Sequence, residues 1–320
     1  MNPNWKKFLL ANQAVFTVDD DIVFPVSPIK SSRHVYPIPH LAVLTIKGND
    51  ASKFLQGQIT CNINDLTENK SSLGAICNSK GRAITVFLLV KNGDSYLMVL
   101  PKELLTDVKS KLQKYVLRAD VILTDSSDDL ILIGQDHEEL RPEPDFATSH
   151  QENIAINFQN RSLIIADADK AQAYWEQQLK QGYQPQDSAE WRYLDLLSGI
   201  PWLSIETSEE FIPQMLNLDK LGAISFNKGC YTGQEIVART HYLGQTKREM
   251  FLAECLCSEA PKANLSIVND EAELSVGKVL SAQMRHDACK MLVVLQTSDT
   301  NNIKLKNPGR DKITVLLQSN

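Results

Sequence analysis

Between residues 72 and 101, three apolar stretches, SLGAIC, AITVFLLV and SYLMVLP, are separated only by the turn sequences NSKGR and Asn92-Gly93. Joints that short leave room for little but successive strands of one sheet. The next stretch, KELLTDVKSKLQKYVL, carries Leu104, Leu105, Val108, Leu112 and Val116 at helical spacing, which predicts a helix with one apolar face. Upstream, HLAVLTIKG reads as a strand and DASKFLQGQITCNINDL as a short helix with Asp50 as its N-cap. Strands followed by a covering helix predict an α+β layer structure.

The pattern recurs with strands DLILIGQ and SLIIADA and a helix near KAQAYWEQQLKQG, while the polar segment DHEELRPEPDFATSHQEN between them reads as a loop. From residue 248 the chain changes character. EMFLAECLC, LSIVN, GKVLSAQMR, CKMLVVLQT, NIKLK and KITVLLQ are short strands broken by Asn, Asp, Gly and Pro, as in a small β-barrel. The expected domains are therefore 1–245, α+β, and 246–320, all-β.

The formal net charge is −6 and no run of Lys or Arg exceeds two, which argues against a dedicated nucleic-acid binder. The longest apolar stretch is about eight residues, against the ~20 that span a bilayer, so no membrane segment is expected. Six irregularly spaced cysteines do not make a disulfide scaffold. A reduced cytoplasm is the expected compartment.

One cysteine stands apart. In FNKGCYTGQEIVART, Cys230 follows Gly229 and precedes a helical pattern. Thr232 and Glu235 match a capping box, which puts Cys230 two residues before the N-cap, near the positive helix end and Lys228. Both effects favour a thiolate, able to act as nucleophile or ligand. Gly229 and Gly233 allow another group close to the backbone. Against this, free cysteines are common small core residues, and no His, Asn or Asp sits at a spacing that identifies a catalytic partner. His241 falls at the far end of the helix and reads as a surface residue. Cys255-x-Cys257 occupies one face of a predicted strand and lacks the C-x2-C zinc spacing, so it reads as packing, as do His286 and Cys289. No metal site is expected.

KGCYTGQE (Lys228, Gly229, Cys230, Tyr231, Thr232, Gly233, Gln234, Glu235) resembles the signature of the YgfZ proteins, folate-binding relatives of the glycine-cleavage T-protein. IKGNDASKFLQGQIT, CNSKGR, WRYLDLLSGIPW and EEFIPQMLNLDKLGAISFNKGCYTGQE occur in that family's order and character. The resemblance covers residues 40–245 well and the barrel loosely. It implies two interleaved ferredoxin-like α+β subdomains of T-protein type, followed by a small C-terminal β-barrel. It further implies bound tetrahydrofolate, a cytoplasmic role with iron–sulfur enzymes or their assembly proteins, and indirect support of tRNA modification. Cys230 becomes the key residue and Trp191 a folate contact, on a helix that Asp187 and Glu190 cap. Lys228 and Arg239 are candidates for a glutamyl carboxylate tail, and Gln214 and Asn217 for lining the cavity.

Three departures qualify the resemblance. T-proteins carry a catalytic aspartate shortly after the turn matching SKGR; here Ala83, Ile84, Thr85, Val86 and Phe87 follow, which disfavours aminomethyl transfer. Many relatives have a tryptophan where Leu41 stands and a glutamate where Leu197 stands. Asp195 lies about 200° from Leu197 around a helix and cannot take that place. The resemblance therefore implies folate binding that is weaker than, or differently specific from, that of its relatives.

Overall fold

The computed structural model describes residues 1–18, 20–25, 32–137, 144–158, 160–244, 246–269, 273–285, 288–298, 300–306 and 312–316. The chain forms two compact units, each assembled from separate segments. The first holds residues 1–55, 63–72 and 87–191, the second 56–62, 73–86 and 192–320.

The first unit opens with helix α1 (Pro3–Ala11), whose cap is Asn2: its Oδ1 accepts from the backbone N–H groups of Asn4 and Trp5. A two-strand ribbon, β1 (Val15–Phe16) and β2 (Ile22–Val23), follows. Along the chain then come β3 (His34–Pro37), β4 (Leu41–Lys47), α2 (Ala51–Gln56), β5 (Ser72–Cys77, all but its first residue in the second unit), β6 (Ala83–Asn92), β7 (Ser95–Pro101), α3 (Leu105–Val116) and β8 (Ile122–Asp125). One sheet is ordered β5-β6-β7-β4-β8, and the division between the units falls within β6. Leu105, Val108, Leu112 and Val116 of α3 are buried, as their spacing predicts, and the helix packs on β4 and β8. Asn92 pairs with Ser95, so the hairpin loop is Gly93-Asp94, one residue later than the sequence suggests. Gly93 takes the left-handed position, at φ 56°. Asp50 stands at the N-cap position, its carbonyl accepting the Phe54 N–H at 2.8 Å, while its carboxylate accepts the Asp120 N–H across the loop.

The second sheet is built from β3 with β9 (Leu130–Asp136), β10 (Thr148–His150), β11 (Ile154–Phe158), β12 (Arg161–Asp167) and β13 (Gln184–Pro185), ordered β10-β11-β12-β9-β3-β13. β10 lies in the polar segment expected to be a loop; as an edge strand it needs no apolar alternation to pair with β11. Helix α4 (Ala168–Lys180) packs against β9 and β12 and against α1. Trp5, Leu9, Ile131, Ile133, Ile164 and Trp175 form the core beneath it. Trp175 is wholly buried; removing its ~200 Å² from water contributes about 5 kcal/mol before ordering costs. Helix α5 (Ser188–Leu197) closes this part of the chain.

The second unit contains a 3₁₀ turn (Pro213–Leu216), helix α6 (Gln234–Leu243) and six strands: β14 (Arg248–Leu256), β15 (Ser266–Asn269), β16 (Ser275–Arg285), β17 (Ala288–Gln296), β18 (Ile303–Leu305) and β19 (Lys312–Leu316). These close as β14-β17-β16-β15-β18-β19, with β19 returning to β14, so the barrel has no free edge. Ile267, Val279, Met291, Val293, Leu295 and Ile303 fill it. His286 lies outside the described residues. Among the described residues no helix is long and apolar enough to cross a membrane.

Candidate functional site

The second unit draws its early segments onto the KGCYTGQE loop. Thr60, wholly buried, ties three stretches together: its hydroxyl donates to Ala223 O at 2.7 Å and accepts the Ala75 N–H at 2.8 Å. Lys228 then reaches back, donating to the carbonyls of Ile59 at 2.7 Å and Cys61 at 2.8 Å. Its ammonium also lies 5.1 Å from the centroid of the buried Tyr231 ring. Burial lowers the Lys228 pKa to about 8. The Tyr231 hydroxyl is pushed up, chiefly by burial and then by the nearby Cys77 and Cys61, so it stays neutral. Lys228 is thus a clamp within the loop's own unit, with its charge turned onto backbone carbonyls.

Two motifs of the sequence meet here. Gly233 has φ 83°, and a Cβ on it would stand 2.4 Å from Asn78 O and 2.9 Å from the Cα of Gly81. Gly81, at φ 70°, would place its own Cβ 2.8 Å from Ile236 Cβ. The NSKGR turn and the YTGQE turn therefore cross backbone to backbone, and neither tolerates a side chain. The Asn78 Oδ1 holds the first turn by accepting from the N–H groups of Lys80 and Arg82. Arg82 in turn donates to the carbonyls of Glu209 and Glu210.

This crossing corrects the expected capping box. α6 begins at Gln234 with Gly233 as its cap residue, in the left-handed region and without a side-chain cap bond. A capping threonine needs an extended backbone at the cap, which the close approach to Asn78 denies. Instead the Gln234 side chain accepts the Tyr231 N–H at 3.2 Å, and the Gln234 N–H donates to Tyr231 O at 3.1 Å. Thr232 donates its backbone N–H to Gly57 O. Gly229, by contrast, would set a Cβ in open space. Beside it Cys230 is exposed, and among the described residues no side chain hydrogen-bonds its thiol. The loop presents a sulfur outward from a fixed backbone.

The other candidates divide between the units. Gln214, buried in the 3₁₀ turn, donates through Nε2 to Val237 O of α6 at 2.6 Å. Asn217, in the left-handed region at φ 56°, donates through Nδ2 to Met250 O of β14 at 2.8 Å. Their Oε1 and Oδ1 atoms are buried acceptors with no donor among the described residues. Arg239 is exposed on α6, as is His241, whose ring stacks on Phe226 at 3.7 Å.

Trp191 belongs to the first unit and is 2% exposed. The Arg161 guanidinium lies 4.6 Å over its ring, and Tyr36 tilts against it at 5.5 Å. On β9, a Cβ at Gly134 would come within 2.2 Å of the indole Cε3, so the bare backbone there makes room for the ring. The indole has no exposed face on which a planar ring could stack. Asp187 does not serve the helix as expected, since its carboxylate accepts the Phe24 N–H at 2.7 Å. Asp195 is buried and accepts from Trp202 Nε1 at 2.7 Å, while Leu197 is 37% exposed. The two do point apart. Leu41 is buried and lines an apolar cleft with Trp5, Pro37 and Leu132.

The two units and closed barrel define a protein of the glycine-cleavage T-protein fold. The chain superposes on the aminomethyltransferase T of the glycine cleavage system from Bartonella henselae with a TM-score of 0.79, covering 99% of this chain and 97% of that one at 12% identity. An identity that low carries the fold alone. No family model matches the sequence. The chain is, however, 32% identical over 274 residues to the tRNA-modifying protein YgfZ of Klebsiella pneumoniae, spanning 81% of this chain and 83% of the relative. It is 32% identical over 240 residues to that of Colwellia psychrerythraea, 71% of this chain and 72% of the relative. The Escherichia coli protein of the same name is 30% identical over 274 residues, 81% and 83% of the two chains. The chain belongs to the YgfZ family.

Proposed function

We propose that this chain is a cytoplasmic, folate-binding accessory protein that supports iron–sulfur enzymes of tRNA modification, and that Cys230 is the residue that meets the partner. The observation that carries this reading is the exposed Cys230 thiol on a loop pinned by Lys228, Thr232 and the Gly81–Gly233 crossing. A fixed backbone with a protruding sulfur suits a group that reacts with, or docks to, something arriving from outside. The curated relatives named above are called tRNA-modifying proteins. A net charge of −6 suits an indirect connection to RNA, through enzymes, better than a grip on its phosphates.

Tetrahydrofolate is the proposed ligand. Gln214 Oε1 and Asn217 Oδ1 are buried acceptors awaiting donors, and the pterin amino and ring N–H groups are donors of that kind. The exposed Arg239 is the candidate for the glutamyl carboxylate. Lys228 enters only by shaping the loop, and Trp191 only if the Arg161 guanidinium moves off its ring. Bound tetrahydrofolate would supply a one-carbon carrier. Aminomethyl transfer itself is not favoured, because the stretch after the SKGR turn holds Thr85, buried and donating to Val86 O, in place of a carboxylate.

The test has two arms. Calorimetric titration with tetrahydrofolate should show binding to the wild type and to Cys230→Ser, and affinity lower by about 10-fold or more for Gln214→Leu, the loss of one buried hydrogen bond. In cells deprived of the native protein, Cys230→Ser should fail to restore methylthiolated tRNA where the wild type succeeds. No heat of binding to the wild type refutes the folate half. Full restoration by Cys230→Ser refutes the thiol half.

A further inference from the structure

The barrel gathers three cysteines that the sequence separates. Cys255 on β14 and Cys289 on β17 are register partners, and Met284 on β16 is the partner of Cys289 on its other side. Cys257 lies two residues beyond Cys255 and so returns to the same face. The Cys255 and Cys257 sulfurs are 3.4 Å apart, the Met284 Sδ is 3.9 Å from Cys257 Sγ, and all three thiol sulfurs lie within 4.8 Å of one another. Cys255 and Cys289 are buried and Cys257 is half-buried. None is in a disulfide.

Ordinary packing explains one or two cysteines in a barrel, since thiols fill small core spaces. It does not require that half of a chain's six cysteines converge on one point with a thioether beside them. The spacing matches coordination. A metal–sulfur bond of ~2.3 Å sets three trigonal sulfurs roughly 4 Å apart, within the range seen here. The donor set also discriminates. Structural zinc takes four ligands from Cys, His and carboxylate, and iron–sulfur clusters are held by four thiolates as a rule. Thiolates joined by a thioether select the softest common ion, copper(I). Cys257, half-buried, is the side from which an ion reaches the sulfurs.

We propose that this end of the barrel is a copper(I) site formed by Cys255, Cys257 and Cys289, with Met284 as a weak fourth donor. Binding replaces S–H bonds by Cu–S bonds and releases the thiol protons to solvent, including the one Cys289 now directs to Lys290 O at 3.6 Å. The copper arrives and stays as copper(I), so no electron is exchanged. The site is independent of Cys230 and of folate.

The experiment uses the full chain, reduced and anaerobic, titrated with copper(I) against bathocuproine disulfonate. The wild type should hold one copper per chain, with X-ray absorption reporting three sulfurs at ~2.3 Å. Cys257→Ser, at the least buried of the three positions, should bind more weakly than the roughly 10–100-fold loss that even an outer-shell change causes. Cys230→Ser should bind as the wild type does. A second measurement needs no variant: copper should protect Cys255, Cys257 and Cys289, but not Cys230, from alkylation read by peptide mass spectrometry. The proposal fails if the competitor strips all copper from the wild type, if Cys257→Ser retains copper equally, or if copper protects Cys230 instead. Tighter binding of zinc than of copper(I) under the same competition overturns the choice of metal.

Discussion

Gly229 and Gly233 flank the same cysteine, and the structure gives them opposite tolerances. Alanine at Gly233 must adopt φ near 83° and put a Cβ 2.4 Å from Asn78 O. The left-handed backbone costs about 1–2 kcal/mol for a residue with a Cβ. Relieving the overlap with a backbone oxygen, which has no rotamer to change, costs about 1–3 kcal/mol more. The expected loss is therefore about 2–5 kcal/mol. Spread over 320 residues, at about 2.1 cal/mol/K each, that lowers the melting temperature by about 3–7 °C, and by more if the second unit melts separately. Alanine at Gly229 meets nothing within 4 Å and lies outside the left-handed region. It should shift stability by no more than about 0.5–1 kcal/mol, in the stabilising direction if the chain entropy of the unfolded state dominates. The assay is urea and thermal unfolding of both variants beside the wild type, followed by circular dichroism. Equal destabilisation by the two substitutions, or a neutral Gly233→Ala, refutes the backbone crossing as the reason for glycine at 233.

Three further outcomes follow from the same geometry. Ellman's reagent should label Cys230 first in the native protein, and Cys230→Ser should remove that phase, because Cys61, Cys77, Cys255 and Cys289 are buried and Cys257 is half-buried; three or more rapid thiols in the wild type would contradict this burial. Gly134→Ala should cost about 1–3 kcal/mol and alter tryptophan emission, since its Cβ drives into the Trp191 ring; unchanged emission and stability would place Trp191 elsewhere. For Lys228, burial lowers the folded pKa to about 8, while the unfolded chain titrates near 10.4. Between those values the unfolded state binds more protons, so wild-type stability should rise with pH relative to Lys228→Met, and a difference that falls or stays flat across that window would count against the buried ammonium.

Local pattern carried the reading of elements well. The stripe Leu105, Val108, Leu112 and Val116 faces the sheet as its spacing predicts, and the six C-terminal strands close into a barrel. The failures are where distance along the chain decides local conformation. Thr232 and Glu235 satisfy the capping-box pattern, yet Asn78, brought in by the fold, forces Gly233 into the cap position. β10 escaped notice because an edge strand carries no apolar alternation. At the site, the KGCYTGQE signature marks the loop, but its dependence on the NSKGR turn is invisible without the crossing. The same holds in the barrel. Cys255-x-Cys257 alone has no ligand spacing, and only the β14–β17 register adds Cys289. A search for thiols on facing positions of predicted barrel hairpins would have found it.

The Lys228 clamp also sets a clock. Its two carbonyl acceptors lie 169 and 167 residues earlier in the chain, and the Thr60 bond to Ala223 spans 163. At roughly 5–20 residues per second, a ribosome emits residues 59–61 about 8–35 s before the lysine that will hold them. During that interval residues 56–62 and 73–86 wait without the unit they belong to. The Cys230 loop is therefore assembled after nearly all else upstream of it has been made, and a chain truncated before residue 228 has neither the thiol nor the brace. Ordered display of the sulfur becomes a report that synthesis has passed this point.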